Sequence, residues 1–499
     1  MDGLGVGTTY LPGLQPLLRD LGDLIQVVEI EPQAFWKENG TGDLPYRVDA
    51  TVLERLAALP QAKLFHGVGF PVGGSRPPPF LPALHAMAQA LRPAWVSEHL
   101  SFNTAADADG PFNAGFLLPP RQTAAGALTA AAAIRAAAAG FTVPFAFETG
   151  VNYLRPRADE LSDGAFFAAV AAAADCDILL DLHNLHCNER NGRQAARAAI
   201  AELPSARVRE LHLAGGCLRD GYWLDAHSGP SPEEVFALAA EVIPRFPNLR
   251  AIIFEILPAQ LVGADMRALR RQLERMHDLW SLRRPRAAPA EPAAAIVITT
   301  AADADAPSPR AWEDALGGLV AGRPRNDALS RELAADPGTA VLIALAHEAR
   351  AAAPALALTL TTRLLLLTLG EQRVRALLEE FWVGAVPELF PAREAAALAR
   401  HLRARCGEPE LAAIAGLRDV LAYEDGVLRA FLTRTQVRVR FAHDPAPLIA
   451  ALCEGRLHAG TPAGGPVEIG IEPDGGGLTL FAVAAGLEAE EAHAASAPG

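Results

Sequence analysis

Asp177-Ile178-Leu179-Leu180-Asp181-Leu182-His183-Asn184 decides how the first half of this chain is read. A run of Ile and Leu is what a strand buried on both faces requires, because neither side of it meets water. The run then ends abruptly in an acid, an imidazole and an amide, all of which can bind a metal. The same design recurs at Phe65-His66, Val96-Ser97-Glu98-His99, Phe147-Glu148, Leu211-His212 and Ile253-Phe254-Glu255. The C-terminal ends of parallel strands open onto a shared mouth. Six such ends therefore aim His, Glu or Asp at one place.

Working outward, eight strand-like segments alternate with helical text over the first ~280 residues: Leu4–Thr8, Ile25–Ile30, Lys63–Val68, Ala94–His99, Val143–Glu148, Asp177–Leu182, Val208–Leu213 and Arg250–Ile256. Helical stretches include Leu81–Leu91, Thr123–Ala139, Ser162–Ala174, Pro232–Ile243 and Gln260–Leu282. Eight βα units in this length predict an α/β TIM (β/α)8 barrel over residues 1–282, with its active site at the C-terminal strand ends. Residues 283–310 are rich in Arg, Pro and Ala and read as a linker around an apolar island, Ile296–Ile298. Residues 311–486 predict a second domain, helical to about Leu432 and then a small β region. Its strand-like runs are Gln436–Phe441, Val467–Ile471 and Leu478–Val483, the last two joined at Asp474-Gly475-Gly476-Gly477, a hairpin signal. Residues 487–499 read as a disordered tail.

The composition narrows the function. The chain has 499 residues and a formal net charge of −14, which argues against a phosphate-tracking nucleic-acid surface. Five scattered cysteines without a CxxC pair point to a reducing cytoplasm rather than a disulfide framework. No signal sequence precedes the first strand, and the most apolar stretch, Ala355–Leu369, is broken by Arg363 and too short to span a bilayer. Neither a nucleic-acid nor a membrane partner is expected.

Imidazole and carboxylate donors together suit Zn, Fe or Mn better than Ca or Mg. A carboxylate such as Glu148 or Glu255 at the end of an apolar strand is costly unless a cation neutralises it; the alternative is a salt bridge to a barrel arginine. Asp181, His183 and Asn184 form the densest group, with Asn184 placed in the following loop. Asp225-Ala226-His227 has the spacing that puts two ligands on one face of an extended segment. Together with His66, His99 and His212 there are more donors than one metal with an open position needs. Two or three metals are the natural inference. Glu29 and Glu31 flank the second strand end, with substrate contact, structure or metal as open roles.

Taken as a set, His66-Gly-Val-Gly, Ser97-Glu-His-Leu-Ser, Phe147-Glu-Thr, Leu180-Asp-Leu-His-Asn, Glu210-Leu-His-Leu-Ala-Gly, Asp225-Ala-His and Phe254-Glu resemble the multinuclear non-haem iron-dependent oxidases, the DUF692 family. The resemblance covers residues 1 to ~280. It implies a barrel holding two or three irons that acts, with O2 as co-substrate and a partner protein, on cysteine-containing precursor peptides. It would make His66, His99, Glu148, Asp181, Asn184, His212, Asp225, His227 and Glu255 iron ligands, with Glu148 a bridge between irons and Glu148, Asp181 and His212 at the catalytic centre. This chain departs from the family pattern at His183 (usually Asn), Gly216 (usually His) and Thr149 (usually Asn). Either His183 replaces the missing imidazole and is itself a metal ligand, or a third metal is absent. Phe381-Trp382, Phe390-Pro391, Tyr423-Glu424 and Arg440-Phe-Ala-His-Asp-Pro445 look like the partner protein, which implies a recognition domain fused in cis. Two other readings share these residues: a divalent-metal barrel isomerase or endonuclease-like hydrolase, and a non-catalytic metal-binding maturation protein.

Overall fold

In the computed structural model, the described residues are 3–38, 46–76, 81–284, 306–388, 390–460, 465–474 and 477–483. Most of the expected linker, including Ile296–Ile298, and all of the expected tail lie outside them. The chain divides into two compact units, 1–344 and 345–499.

The first unit is built on a closed barrel of eight parallel strands, Gly5–Tyr10, Val27–Ile30, Ala62–Gly67, Val96–His99, Phe145–Glu148, Asp177–Asp181, Val208–Ala214 and Ala251–Glu255. All eight segments expected from the continuous apolar runs are therefore strands. Val27, Leu64, Ile178, Leu211 and Ile252 have no accessible surface, since helices cover the outside and neighbouring strands the inside. Thr123 and Ser162 cap the helices Ala124–Ala138 and Asp163–Ala174 through their side-chain oxygens.

Register places the polar strand ends side by side. His99 lies opposite Glu148 on the next strand, and Asp181 opposite His212. Ala214 pairs with Glu255. Two hairpins decorate the mouth, Phe102–Asp107 with Gly110–Leu118, and Cys217–Arg219 with Tyr222–Leu224. Continuous apolar text announces the barrel strands, whereas these hairpins carry half-exposed, mixed residues and leave no such trace.

The unit boundary departs from expectation. Residues 311–344, read from sequence as the start of the second domain, fold onto the barrel as the helices Pro309–Val320 and Ala328–Ala334 and the start of Pro337–Ala357. The cause is packing: Trp312 is fully buried and its Nε1 donates to the Pro119 carbonyl at 3.0 Å.

The second unit is helical, with a core that includes Leu358, Leu364, Leu377, Phe381, Trp382, Leu402 and Leu421. Glu424 is buried there and accepts from the backbone N–H groups of Leu360 and Thr361 at 2.7 and 2.8 Å, capping a helix start. A three-stranded antiparallel sheet, Val437–Phe441, Val467–Asp474 and Gly477–Val483 in that order, packs Val439, Phe441 and Ile471 against Ala430 of the helix Leu417–Thr433. Among the described residues one helix, Pro337–Ala357, is long and apolar enough by length and composition to cross a membrane. Within it Arg350 forms a buried 2.7 Å ion pair with Glu394.

Candidate metal centre

Two groups of ligand atoms at the barrel mouth each fall within 4.8 Å of one another: His66, His99 and Glu148, and Glu148, Asp181, His212 and Glu255. Glu148 belongs to both. Its Oε2 lies 3.3 Å from His66 Nε2 and 3.0 Å from His99 Nε2. Its Oε1 lies 3.7 Å from His212 Nδ1, which is itself 3.1 Å from Glu255 Oε2.

Each imidazole is oriented from behind. His99 Nδ1 faces the Gly67 carbonyl at 2.9 Å, and a carbonyl can only accept, so Nδ1 carries hydrogen and Nε2 turns to Glu148. Ser97 Oγ donates to the Phe65 carbonyl at 3.2 Å and so accepts from His66 Nδ1 at 2.9 Å. His212 donates through Nε2 to Glu29 at 3.1 Å, leaving Nδ1 toward the centre. A fixed outer N–H on every ring is how proteins prepare imidazoles for a metal.

The buried polar atoms point the same way. His66 Nε2, Glu148 Oε2, Asp181 Oδ2, Asn184 Oδ1, His212 Nδ1 and Glu255 Oε2 are all shielded and lack a hydrogen-bond partner. Asp181 Oδ2 and Asn184 Oδ1 face no partner, and the other four face only ligand atoms of the same cluster. Crowding buried polar atoms without hydrogen bonds costs free energy that a cation held between them offsets. This donor set, two or more imidazoles with three or more carboxylates, fits one or more transition-metal ions.

Electrostatics show how tightly the groups are coupled. Burial disfavours the charged imidazole of His99, but Glu148 and Glu98 outweigh it and raise its pKa to about 10. Burial opposes ionisation of Glu148, yet His99, His212 and His66 hold it well below the carboxylate range. Asp181 goes the other way: burial and the nearby Glu255, Glu148 and Asp225 push it well up.

The remaining expected ligands form an adjoining chain. Glu255 Oε2 is 3.4 Å from His227 Nε2, which is 3.2 Å from Asp225 Oδ1, which is 3.0 Å from His183 Nδ1. His227 has φ near +45°, the left-handed region, and the two donors of Asp225-Ala226-His227 meet on one side, as their spacing led us to expect. Asn184 is not in a loop either. Asp181 caps the helix Leu182–Arg190 by accepting from Asn184 N at 2.7 Å, and this places Asn184 Nδ2 3.3 Å from Glu148 Oε1. His183 is fully buried and, among the described residues, joins no group of three close ligands; a Cβ on Gly216 would sit 2.6 Å from its Nε2. The His183 ring thus fills the space a side chain at 216 would need.

Sequence reasoning undervalued a layer behind the ligands. Glu29, Glu210 and His212 form a third close group with no exposed surface, and Trp95 Nε1 donates to Glu210 at 2.7 Å. The available signal was a charged residue inside an apolar strand, Val27-Val28-Glu29-Ile30 and Arg209-Glu210-Leu211. Glu31 also reaches the mouth: burial, with Glu255 and Glu29 nearby, pushes its carboxyl up despite the opposing pull of His66 and His227.

Residues 5–267 match the model of a family described as the RiPP precursor modification enzymes MbnB/TglH/ChrH. A UPF0276 protein of Streptomyces avermitilis is 31% identical over 229 residues, covering 45% of this chain and 47% of that relative. A UPF0276 protein of Chromobacterium violaceum is 29% identical over 279 residues, covering 52% and 99%. The chain spans about half the length of the first relative and nearly all of the second. Among solved structures, D-psicose 3-epimerase of Clostridium cellulolyticum H10 with D-tagatose is similar at 12% identity and a TM-score of 0.38, covering 56% of this chain and 99% of that one. L-Ribulose 3-epimerase is similar at 15% and 0.36, covering 58% and 100%.

Proposed function

Because the chain belongs to the MbnB/TglH/ChrH family of RiPP precursor modification enzymes, we propose that it is an iron-dependent, O2-using oxidase acting on cysteine residues of a ribosomally made precursor peptide. The observation that carries this reading is the sharing of Glu148 between two ligand groups, which suits a carboxylate bridging two ions. His66, His99 and Glu148 would hold one ion; Glu148, Asp181, His212 and Glu255 a second. Asn184, Asp225, His227 and His183 are the donors available to a third. Bound there, iron supplies a site for a substrate thiolate and electrons for reducing O2.

The protein's own part is orientation and exclusion of water. The Gly67 carbonyl, Ser97 and Glu29 fix the imidazole tautomers, and the burial of His66, Glu148, Asp181 and His212 shields those donors from water. The second unit is the candidate recognition domain fused in cis. Its outer strand Gly477–Val483 presents an edge, with the Leu480 side chain half exposed, and an extended peptide can add to such an edge.

Metal analysis of protein purified without chelators, followed by O2 uptake after anaerobic iron loading, tests the proposal. Two or more irons per chain and O2 consumption on adding a Cys-containing peptide are expected; zinc or manganese alone, with no O2 uptake, would sink it. For the second unit, Leu480→Lys blunts the edge and is expected to weaken peptide capture with metal content unchanged. Unaltered capture would remove that strand as the docking site.

A further inference from the structure

Residues 309–338 come after the linker in sequence, yet their polar contacts fall on the loops that leave three of the ligand-bearing strands. Glu313 accepts from Ser75 N at 2.7 Å, Ser75 Oγ at 2.6 Å and Arg76 Nη1 at 2.9 Å. Asp314 accepts from Arg76 Nη2 at 2.5 Å and from Ala106 N at 2.9 Å. Ser75 and Arg76 lie in the loop after His66, and Ala106 lies in the hairpin after His99. Those two loops are stitched together close to the ligands: Val72 N donates to the His99 carbonyl at 2.9 Å, and Asn103 Nδ2 to the Gly69 carbonyl at 3.1 Å. The loop after Glu148 is held likewise. Arg155 N donates to Asp336 at 3.1 Å, and Gly338 lies so close to the Tyr153 carbonyl that a Cβ would come within 2.1 Å.

These are not surface ion pairs. The side chains of Arg76, Glu313 and Asp314 are 14%, 3% and 12% exposed. Removing one partner from such a pair strands a buried charge. His66, His99 and Glu148 come from three different strands, so the geometry of their group depends on three loops keeping their places at once.

Resting on the metal-enzyme reading, we propose that residues 309–338 are a buttress built into the catalytic unit, with Glu313 and Asp314 as positioning residues for the His66–His99–Glu148 metal site. Two carboxylates more than 200 residues downstream of His66 then set its affinity for metal, whereas the Glu148–Asp181–His212–Glu255 group shares only Glu148 with that site and, because neither carboxylate touches the loop after Glu148, weakens less when they are removed.

The test is Co2+ titration of the full chain, followed by visible absorption, for wild type, the isosteric double variant Glu313→Gln/Asp314→Asn, and Ser75→Ala, with circular dichroism and thermal unfolding alongside. For the double variant a loss of at least about tenfold in affinity is expected for one Co2+ equivalent and a smaller loss for the other, with the fold retained, as for other residues that support ligands from behind. Ser75→Ala should give a smaller loss at the same equivalent, and it keeps the test open if the double variant fails to fold. A lowered Tm with both affinities unchanged, or equal weakening of both equivalents, overturns the proposal. A wild-type chain that takes up no Co2+ is a different result, and removes the metal-enzyme reading instead.

Discussion

Glu148 is the side chain on which the ligand groups converge, and its replacement separates a shared site from two independent ones. In Glu148→Gln both groups lose their common carboxylate, so metal content is expected to fall by more than one equivalent; His66→Ala should cost only one. Elemental analysis of the two variants side by side checks this. His99 adds a pH dependence. Its folded pKa is raised above the ordinary imidazole value to about 10, so the stabilisation from its charged form is fully present below pH ~6.5 and is lost as pH rises through about 10. A metal must displace that proton, so metal affinity is expected to rise with pH between these limits and uptake at pH 7 to release protons. Calorimetry in buffers of different ionisation enthalpy reads that release; none at all would contradict it. Gly216→Ala makes a third test. Its Cβ would meet the Leu224 carbonyl at 2.4 Å and the His183 ring at 2.6 Å, and overpacking of this kind costs about 1–3 kcal/mol, measurable by urea unfolding.

At the scale of elements, the strands were legible because burial on both faces leaves only one kind of text. The polar ends of those strands were legible for the complementary reason: an acid or imidazole closing an apolar run has few ways to be satisfied. The segments just past the strand ends were harder to read. Asp181-Leu182-His183-Asn184 could continue as loop or helix, and the choice of helix rests on Asp181 capping Asn184 N, a bond that exists only once the strand end is fixed. The two mouth hairpins, with their mixed residues, resemble ordinary loop text. Helix Pro309–Val320 shows how tertiary contacts assign an element to a unit. Trp312 anchors it, and Trp312→Ala is expected to destabilise the first unit by about 3–5 kcal/mol, read from its denaturation midpoint.

For the whole molecule, the consequence is where the chain can be cut. Ending it at Pro289 removes Trp312, Glu313, Asp314 and Asp336 along with the second unit, so such a fragment is expected to unfold at a lower temperature than the full chain. An unchanged Tm would mean that residues 309–344 add nothing to the barrel. The sequence by itself determined the barrel, its eight strands and the donors at their ends, because continuous apolar strands and the cost of burying unpaired polar groups act locally and leave a local pattern. Only the tertiary structure decided which donors gather on each side of Glu148, that the His183 ring occupies the space beside Gly216, and that residues 309–344 belong to the first unit. Those facts depend on strand register and on contacts between residues up to 238 positions apart, and nothing in neighbouring sequence encodes a distance of that kind.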